Sequence, residues 1–192
     1  MQRAASCTVD VAHPDGNCVF IFVNRPNTKW IDYIRVDEKD PRNPDKAQTG
    51  KIGTKGLPIE AFSGPMSCVA LKTPGAQPPS TEIRLYFVQG NQLTEAVHAC
   101  AGPKSDLKGG WTIPDKTTTD TLSITKSLSI NSKAIDQSSY MSCGKTLPDH
   151  LPYVIWQSSG QVASTQYASI VKMNGRNAMI QQPLPVELTP PS

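Results

Sequence analysis

Residues 82–97 read EIRLYFVQGNQLTEAV, two alternating runs joined by a polar turn. Because successive side chains of a strand point to opposite faces, Arg84 and Tyr86 share one face of the first run. Three apolar side chains share the other face: Ile83, Leu85 and Phe87. The stretch therefore predicts a β-hairpin with one core face. A plain hairpin does not require an arginine at position 84, which suggests a specific role for that side chain.

Two further segments have the same form, CVFIFVNRPNTKWIDYIRV at 18–36 and LPYVIWQSSGQVASTQYAS at 151–169. If Phe22, Phe87 and Trp156 are equivalent, 65 residues separate the first two and 69 the last two. Such a period is too long for one hairpin and suits a four-stranded unit with long loops.

Further strands are predicted beside each hairpin. An inner strand would precede it, SCTVDVA at 6–12, MSCVALK at 66–72 and SLSINSKAI at 127–135, and an outer strand would follow, GGWTIPD at 109–115 being the clearest. Four strands per unit, repeated radially, is typical of a β-propeller blade. A β-sandwich with similar hairpins is the alternative.

The sequence predicts one all-β domain over residues 1–192. No window shows helical periodicity, and the 17 prolines and 13 glycines fall mainly between the apolar runs. The blade-like units would span about 4–60, 61–118 and 119–185, with a Pro-rich tail at 183–192. TGKIGTKG at 49–56 lacks the Lys-Ser/Thr of a phosphate-binding loop and is expected to be a flexible loop.

Three units are few for a propeller, which typically has 4–8 blades. Either a fourth sheet is split between the chain ends, or chains associate to close the ring and cover its open edges. We expect a homo-oligomer, with a dimer of three-bladed chains favoured.

Composition argues against several classes of function. With 19 Lys+Arg, 16 Asp+Glu and a net charge of +3, the chain has no strongly basic character, so no nucleic-acid partner is expected. No segment is long and apolar enough for a membrane span, and MQRAASCTVDVAH at 1–13 has no signal-peptide core. A cytoplasmic location or unconventional secretion is the expectation.

Cysteines and histidines suggest no metal or cofactor. The five cysteines are scattered without a Cys-x-x-Cys pair, and most are expected to be core residues, although a Cys7–Cys18 disulfide is possible. His13, His98 and His150 lack ligand spacing. No catalytic motif was found, and a non-enzymatic protein is predicted.

The segment MSCVALKTPGAQPPSTEIRLYFVQGNQLTEAVHACAGPKSDLKGGWT, residues 66–112, resembles one blade of the fungal fucose-specific lectins of the Aleuria type. Those lectins are six-bladed propellers with sugar sites between neighbouring blades. Their pattern is an Arg on the second strand, a Glu on the third and a Trp near the fourth. The resemblance implies sugar-binding roles for Arg84, Glu95 and Trp111, and fucose or fucosylated glycans as partners.

The other two units lack the full pattern. Val19 and Asp32 stand at the Arg and Glu places of the first unit, and Tyr153 and Ser164 stand there in the third. The predicted sugar site therefore belongs to the second unit.

The residue types suit a monosaccharide. Arg84 offers fixed donors and Glu95 a carboxylate acceptor for adjacent hydroxyls, while Trp111 could stack under the C–H face and Tyr86 could add a hydroxyl. Three alternatives stay open. Arg84 and Glu95 could form a surface ion pair while Trp111 plugs the sheet; the chain could be a structural or interaction protein without sugar binding; or it could be a small glycosidase.

Overall fold

Every regular element of the described residues is a β-strand. The computed structural model describes residues 5–12, 16–25, 28–37, 48–54, 56–61, 64–72, 81–89, 92–100, 106–113, 141–145, 152–157, 165–174 and 178–187. Within these ranges there is no helix, and the strands pair antiparallel. The predicted all-β class is confirmed. Likewise, no helix in the described part of the chain is long and apolar enough to cross a membrane.

The first sheet has four strands in chain order: β1 Ala5–Val11, β2 Cys18–Asn24, β3 Ile31–Asp37 and β4 Gln48–Lys51. A two-stranded ribbon follows, β5 Gly53–Thr54 with β6 Leu57–Pro58. The flexible loop expected at 49–56 was therefore wrong, because these residues form most of β4 and all of β5. Gly50 allows this packing, since a Cβ there would lie 2.9 Å from the Tyr33 ring.

The second sheet contains the opening hairpin. Its strands are β7 Ser67–Lys72, β8 Thr81–Gln89, β9 Gln92–Cys100 and β10 Trp111–Thr112, and they lie in that order across the sheet. The inner strand predicted at 66–72 is present as β7. Of the outer strand predicted at 109–115, the structure shows the two residues of β10, and residues 114 and 115 lie outside the described ranges.

The third sheet comprises β11 Met141–Lys145, β12 Pro152–Gln157, β13 Thr165–Asn174 and β14 Ala178–Glu187. The inner strand predicted at 127–135 lies outside the described residues, and the strand that pairs with β12 is β11 instead. The expected tail also differs, because 183–187 belong to β14. Pro183 and Pro185 fit there because β14 is an edge strand of this sheet, where a missing N–H need not interrupt a ladder.

The second sheet lies between the other two. The first and second sheets share a core that contains Phe20, Phe22, Ile83, Leu85 and Phe87. On the second sheet's opposite face, the Ser67 hydroxyl donates to Cys143 Sγ of the third sheet at 3.1 Å. Both faces of β8 are accordingly buried.

The first strands of the three sheets are neighbours. β1 lies against β7, and β7 lies against β11. The three four-stranded sheets therefore meet along their first strands, and residues of these strands can contact one another across the sheets.

Candidate functional site

Four side chains of the second sheet form a polar cluster around Arg84. The Arg84 Nη1 lies 3.0 Å from Glu95 Oε1, and Tyr86 donates its hydroxyl proton to the same oxygen at 3.1 Å. Arg84 also donates from Nε to Glu82 Oε1 at 2.6 Å. We call Glu82, Arg84, Tyr86 and Glu95 the arginine cluster.

Strand alternation and register build this cluster. Glu82, Arg84 and Tyr86 alternate along β8 and so share a face, and Tyr86 pairs directly with Glu95 on β9. The structure therefore brings together three predicted site residues, Arg84, Glu95 and Tyr86. Glu82 was missed by the sequence reasoning, although its position two residues before Arg84 was a readable signal.

The arginine cluster is buried on the face that looks toward the third sheet. The side chains of Arg84 and Glu95 are both 0% exposed, whereas that of Glu82 is 19% exposed. Ser67, which contacts Cys143 of the third sheet, pairs with Tyr86 on this face. The ion pair of that alternative is present between Arg84 and Glu95, but it is buried and does not lie on an exposed surface. The cluster reaches solvent at Glu82.

The charges explain the protonation states. Burial acts to lower the pKa of Arg84, but Glu95 and Glu82 together outweigh it and raise that pKa. Burial, reinforced by Glu95, holds the pKa of Tyr86 well above its ordinary value. At neutral pH the cluster thus contains a cationic guanidinium and a neutral phenol that donates a hydrogen bond.

Trp111 lies on the opposite face of the second sheet. It pairs with His98, which in turn pairs with Ile83 of the core face. Its indole is 1% exposed, donates from Nε1 to the Leu107 carbonyl at 2.8 Å, and meets the Phe22 ring edge-on at 5.8 Å. The structure does not bring Trp111 to Arg84 and Glu95, so the predicted convergence of all three is not observed.

The Gly-Gly-Trp sequence has a structural reason in this setting. Gly110 has φ 77°, a left-handed conformation that favours glycine. A Cβ at this position would also lie 3.1 Å from His98 Nε2. Gly110 therefore lets the chain turn into β10 directly beside the imidazole.

His98 is a buried neutral histidine beside Trp111. Its ring lies 5.2 Å from the indole, and the residue is 6% exposed. Burial lowers its pKa, against smaller opposing effects of the Gly109 backbone and Asp106. Within the described part of the chain, Nδ1 has no hydrogen-bond partner. The fold therefore disfavours the imidazolium.

We expect this histidine to make the fold sensitive to mild acid. Below the unfolded-state pKa of about 6.5, the unfolded chain gains a proton that folded His98 resists. Stability is therefore lost as pH falls from about 7 toward the lowered folded-state pKa. Urea unfolding of wild type and His98→Gln between pH 7.5 and 5 tests this, and the variant should show the shallower decline. Equal slopes would contradict it.

Across the sheet interface, Tyr33 adds a link between the first and second sheets. Its hydroxyl donates to Asp106 Oδ1 at 2.8 Å, and the Lys108 N–H donates to the same oxygen at 3.0 Å. Burial and this hydrogen bond raise the pKa of Tyr33 to about 12. This polar contact fixes the loop before β10 against the first sheet.

The described ranges hold no cluster of His, Cys, Asp or Glu able to bind a metal ion. His13 and His150, weighed as ligands in the sequence, lie outside those ranges.

Cys7 carries a free thiol. A Cys7–Cys18 bond is unfavourable because they pair with Phe22 and Val11 respectively, four positions apart along the sheet. That separation is about 13 Å, well beyond disulfide range.

Comparison with known proteins adds no family to this description. No protein-family model matches the chain, and no curated protein matches it either. The class defined here is an all-β protein of antiparallel four-stranded sheets with a buried arginine cluster between two of them.

Proposed function

We propose that this chain is a non-enzymatic, lectin-type carbohydrate-binding protein whose three sheets are propeller-like blades, and that its ligand is fucose or a fucosylated glycan. The observation that carries the proposal is the convergence of Arg84, Glu95 and Tyr86 on one sheet face. A guanidinium fork, a carboxylate and a phenol within hydrogen-bond distance form the set of donors and acceptors that adjacent sugar hydroxyls require.

The position of the cluster supports the same proposal. It lies on the face of the second sheet that looks toward the third, and the lectins that residues 66–112 resemble bind sugars between neighbouring blades. Glu82 is its solvent-exposed edge, so a sugar would approach from that side. The proposed site comprises Arg84, Glu95, Tyr86 and Glu82, and Trp111 is not part of it.

A second candidate function is a structural or interaction protein with the same sheets and no sugar site. The observation that favours it is burial, since Arg84 and Glu95 have no exposed side-chain surface. In that case the arginine cluster only stabilises the second sheet, and the glycan-binding tests described below should be negative.

The proposed ring closes through a second copy of the chain. The first sheet covers the second with one face, and its other face carries half-buried apolar side chains: Val19, Ile21, Val23, Ile34 and Val36. Apolar surface of this kind favours association. Sedimentation velocity should then give a dimer, and a monomer at micromolar concentration would contradict ring closure by association.

The sugar site is tested with a change that removes one atom. Tyr86→Phe keeps the ring in the sheet and deletes the hydroxyl that donates to Glu95. Because hydrogen bonds to charged groups are worth about 1.5–3 kcal/mol, fucose affinity should fall about tenfold or more in titration calorimetry. Arg25→Ala is the matched control, since Arg25 lies 3.4 Å from Asp32 on the first sheet and is 66% exposed.

A glycan array on the wild-type protein gives the complementary readout. Binding of fucosylated glycans that weakens in Tyr86→Phe and persists in Arg25→Ala supports the proposed site. If Tyr86→Phe binds fucosylated glycans as well as the wild type does, the sugar binds at a site other than the arginine cluster. No glycan binding by well-folded wild-type protein favours the structural candidate.

A further inference from the structure

Two thiols from different sheets meet where the first strands lie side by side. Cys7 is on β1 and Cys68 is on β7, and the two side chains are hydrogen-bonded to each other. Both are free thiols, and both are only partly buried. Both residues therefore keep some exposed surface at the junction of the first strands.

Strand register directs the side chains of Cys7 and Cys68 toward the space between the first and second sheets. Cys7 pairs with Phe22 and Cys68 pairs with Leu85, and these partners belong to the core between the first and second sheets. Because directly paired residues point to the same face, both cysteines point toward that core. Their contact thus follows from strand register and does not depend on a loop.

All three first strands contain the same dipeptide. Ser-Cys occurs at 6–7, 67–68 and 142–143, within β1, β7 and β11. The third thiol, Cys143, accepts a hydrogen bond from the Ser67 hydroxyl at 3.1 Å. It belongs to the junction between the second and third sheets.

We propose that Cys7 and Cys68 form a reversible redox pair, and that a disulfide between them covalently joins the first and second sheets. Each sulfur loses its proton and, formally, one electron to form the new bond, and these two electrons reduce one molecule of a low-molecular-weight disulfide, oxidised glutathione, to two reduced glutathiones. Forming the bond requires the two sulfur atoms, which are already in hydrogen-bond contact, to approach to about 2.05 Å.

The reaction proceeds by thiol–disulfide exchange. The Cys68 thiolate attacks one sulfur of oxidised glutathione, which forms a mixed disulfide and releases one reduced glutathione. The Cys7 sulfur, on losing its proton, then attacks Cys68 Sγ, which forms the intramolecular bond and releases the second reduced glutathione. The pKa of the Cys7 thiol is raised, first by its hydrogen bond to Cys68 and to a lesser extent by burial. The second step should therefore be slow at neutral pH and faster in alkali.

The test uses the full chain incubated with oxidised glutathione at pH 8. Remaining thiols are alkylated, the protein is digested without reduction, and linked peptides are identified by mass spectrometry. We expect a Cys7–Cys68 linked peptide and two reduced glutathiones released per bond. Because the two residues are 61 positions apart, closing that loop should raise the melting temperature by about 10 °C.

Variants separate this pair from its neighbour. Cys68→Ser should abolish both the linked peptide and the melting-temperature rise, whereas Cys143→Ala should keep both. The proposal is overturned if the linked peptide joins Cys68 to Cys143. It is also overturned if Cys7 and Cys68 stay fully alkylated after a time that oxidises the urea-unfolded chain. Neither result depends on sugar binding.

Discussion

Arg84→Ala is expected to lower the free energy of unfolding by about 3–5 kcal/mol, as is typical when one partner of a buried ion pair is removed. The substitution leaves the Glu95 carboxylate, 0% exposed, without its guanidinium. It also removes the hydrogen bond from Arg84 Nε to Glu82. Urea denaturation at pH 7, analysed by linear extrapolation, measures the loss.

Arg25→Ala is the matched control for stability. It removes another arginine that faces a carboxylate, but Arg25 is 66% exposed and lies 3.4 Å from Asp32. Surface pairs of this kind contribute about 0–1 kcal/mol. If both variants lose the same small amount of stability, the arginine cluster is not a stabilising buried network.

A double replacement distinguishes the stabilisation that the Arg84–Glu95 pair contributes from the cost of a buried charge that has lost its ion-pair partner. Arg84→Met with Glu95→Leu removes both charges and keeps apolar volume in the sheet. Replacing a whole buried ion pair by apolar residues is often close to neutral. The double variant should therefore be more stable than Arg84→Ala alone, and the difference reports the cost of leaving the Glu95 carboxylate without the guanidinium.

The hairpins and their faces were predictable because strand alternation is a local property. In EIRLYFVQ, alternation alone separates Arg84 and Tyr86 from Leu85 and Phe87, and the structure places these two sets on opposite faces. The contact of Arg84 with Glu95 also follows once the turn is known. What alternation cannot give is whether a face is buried, because that depends on which sheet covers it. The face of Arg84 looks toward the third sheet, which contacts the second sheet at Ser67 and Cys143.

The equivalence drawn between the first two hairpins shows a second limit. Phe22 points toward the second sheet, and Phe87 points back toward the first, so they meet in one core. In a ring of repeated sheets, equivalent residues would point the same way around the axis. A ring of repeated sheets would therefore require Phe22 to be matched with a neighbour of Phe87 and not with Phe87 itself. A shift of one residue moves every side chain of the compared strand to the other face. The comparison of Val19 with Arg84 fails for the same reason.

Trp111 was misplaced because its side of the sheet depends on a long-range register. The sequence puts Trp111 after a loop of uncertain path, and a shift of one residue in the pairing of β10 with β9 decides its face. The observed pairing with His98 puts it in the core, where its indole N–H is satisfied by Leu107.

The third sheet's first strand was missed for a simpler reason, since MSCGK is short and polar at one end, whereas 127–135 alternates more clearly.

Trp111→Ala is expected to destabilise the fold about as strongly as Arg84→Ala, because the indole fills the core between the first and second sheets. It contacts Phe22 edge-on at 5.8 Å and is 1% exposed. Truncation of a buried Trp to Ala typically costs about 3–5 kcal/mol through lost burial and the cavity left behind. Chemical denaturation should show this loss, with Leu57→Ala as the control, since Leu57 is 70% exposed and its loss should cost under about 0.5 kcal/mol.

Trp111→Phe separates a core role from a sugar-stacking role. The smaller ring keeps apolar contact with Phe22 but loses the hydrogen bond to the Leu107 carbonyl and some volume, so the loss of stability should be smaller than for alanine. If Trp111 acts only in the core, fucose affinity at a temperature where the variant is fully folded should equal that of the wild type. A selective loss of fucose affinity with unchanged stability would return Trp111 to the sugar site and contradict its placement on the opposite face from Arg84.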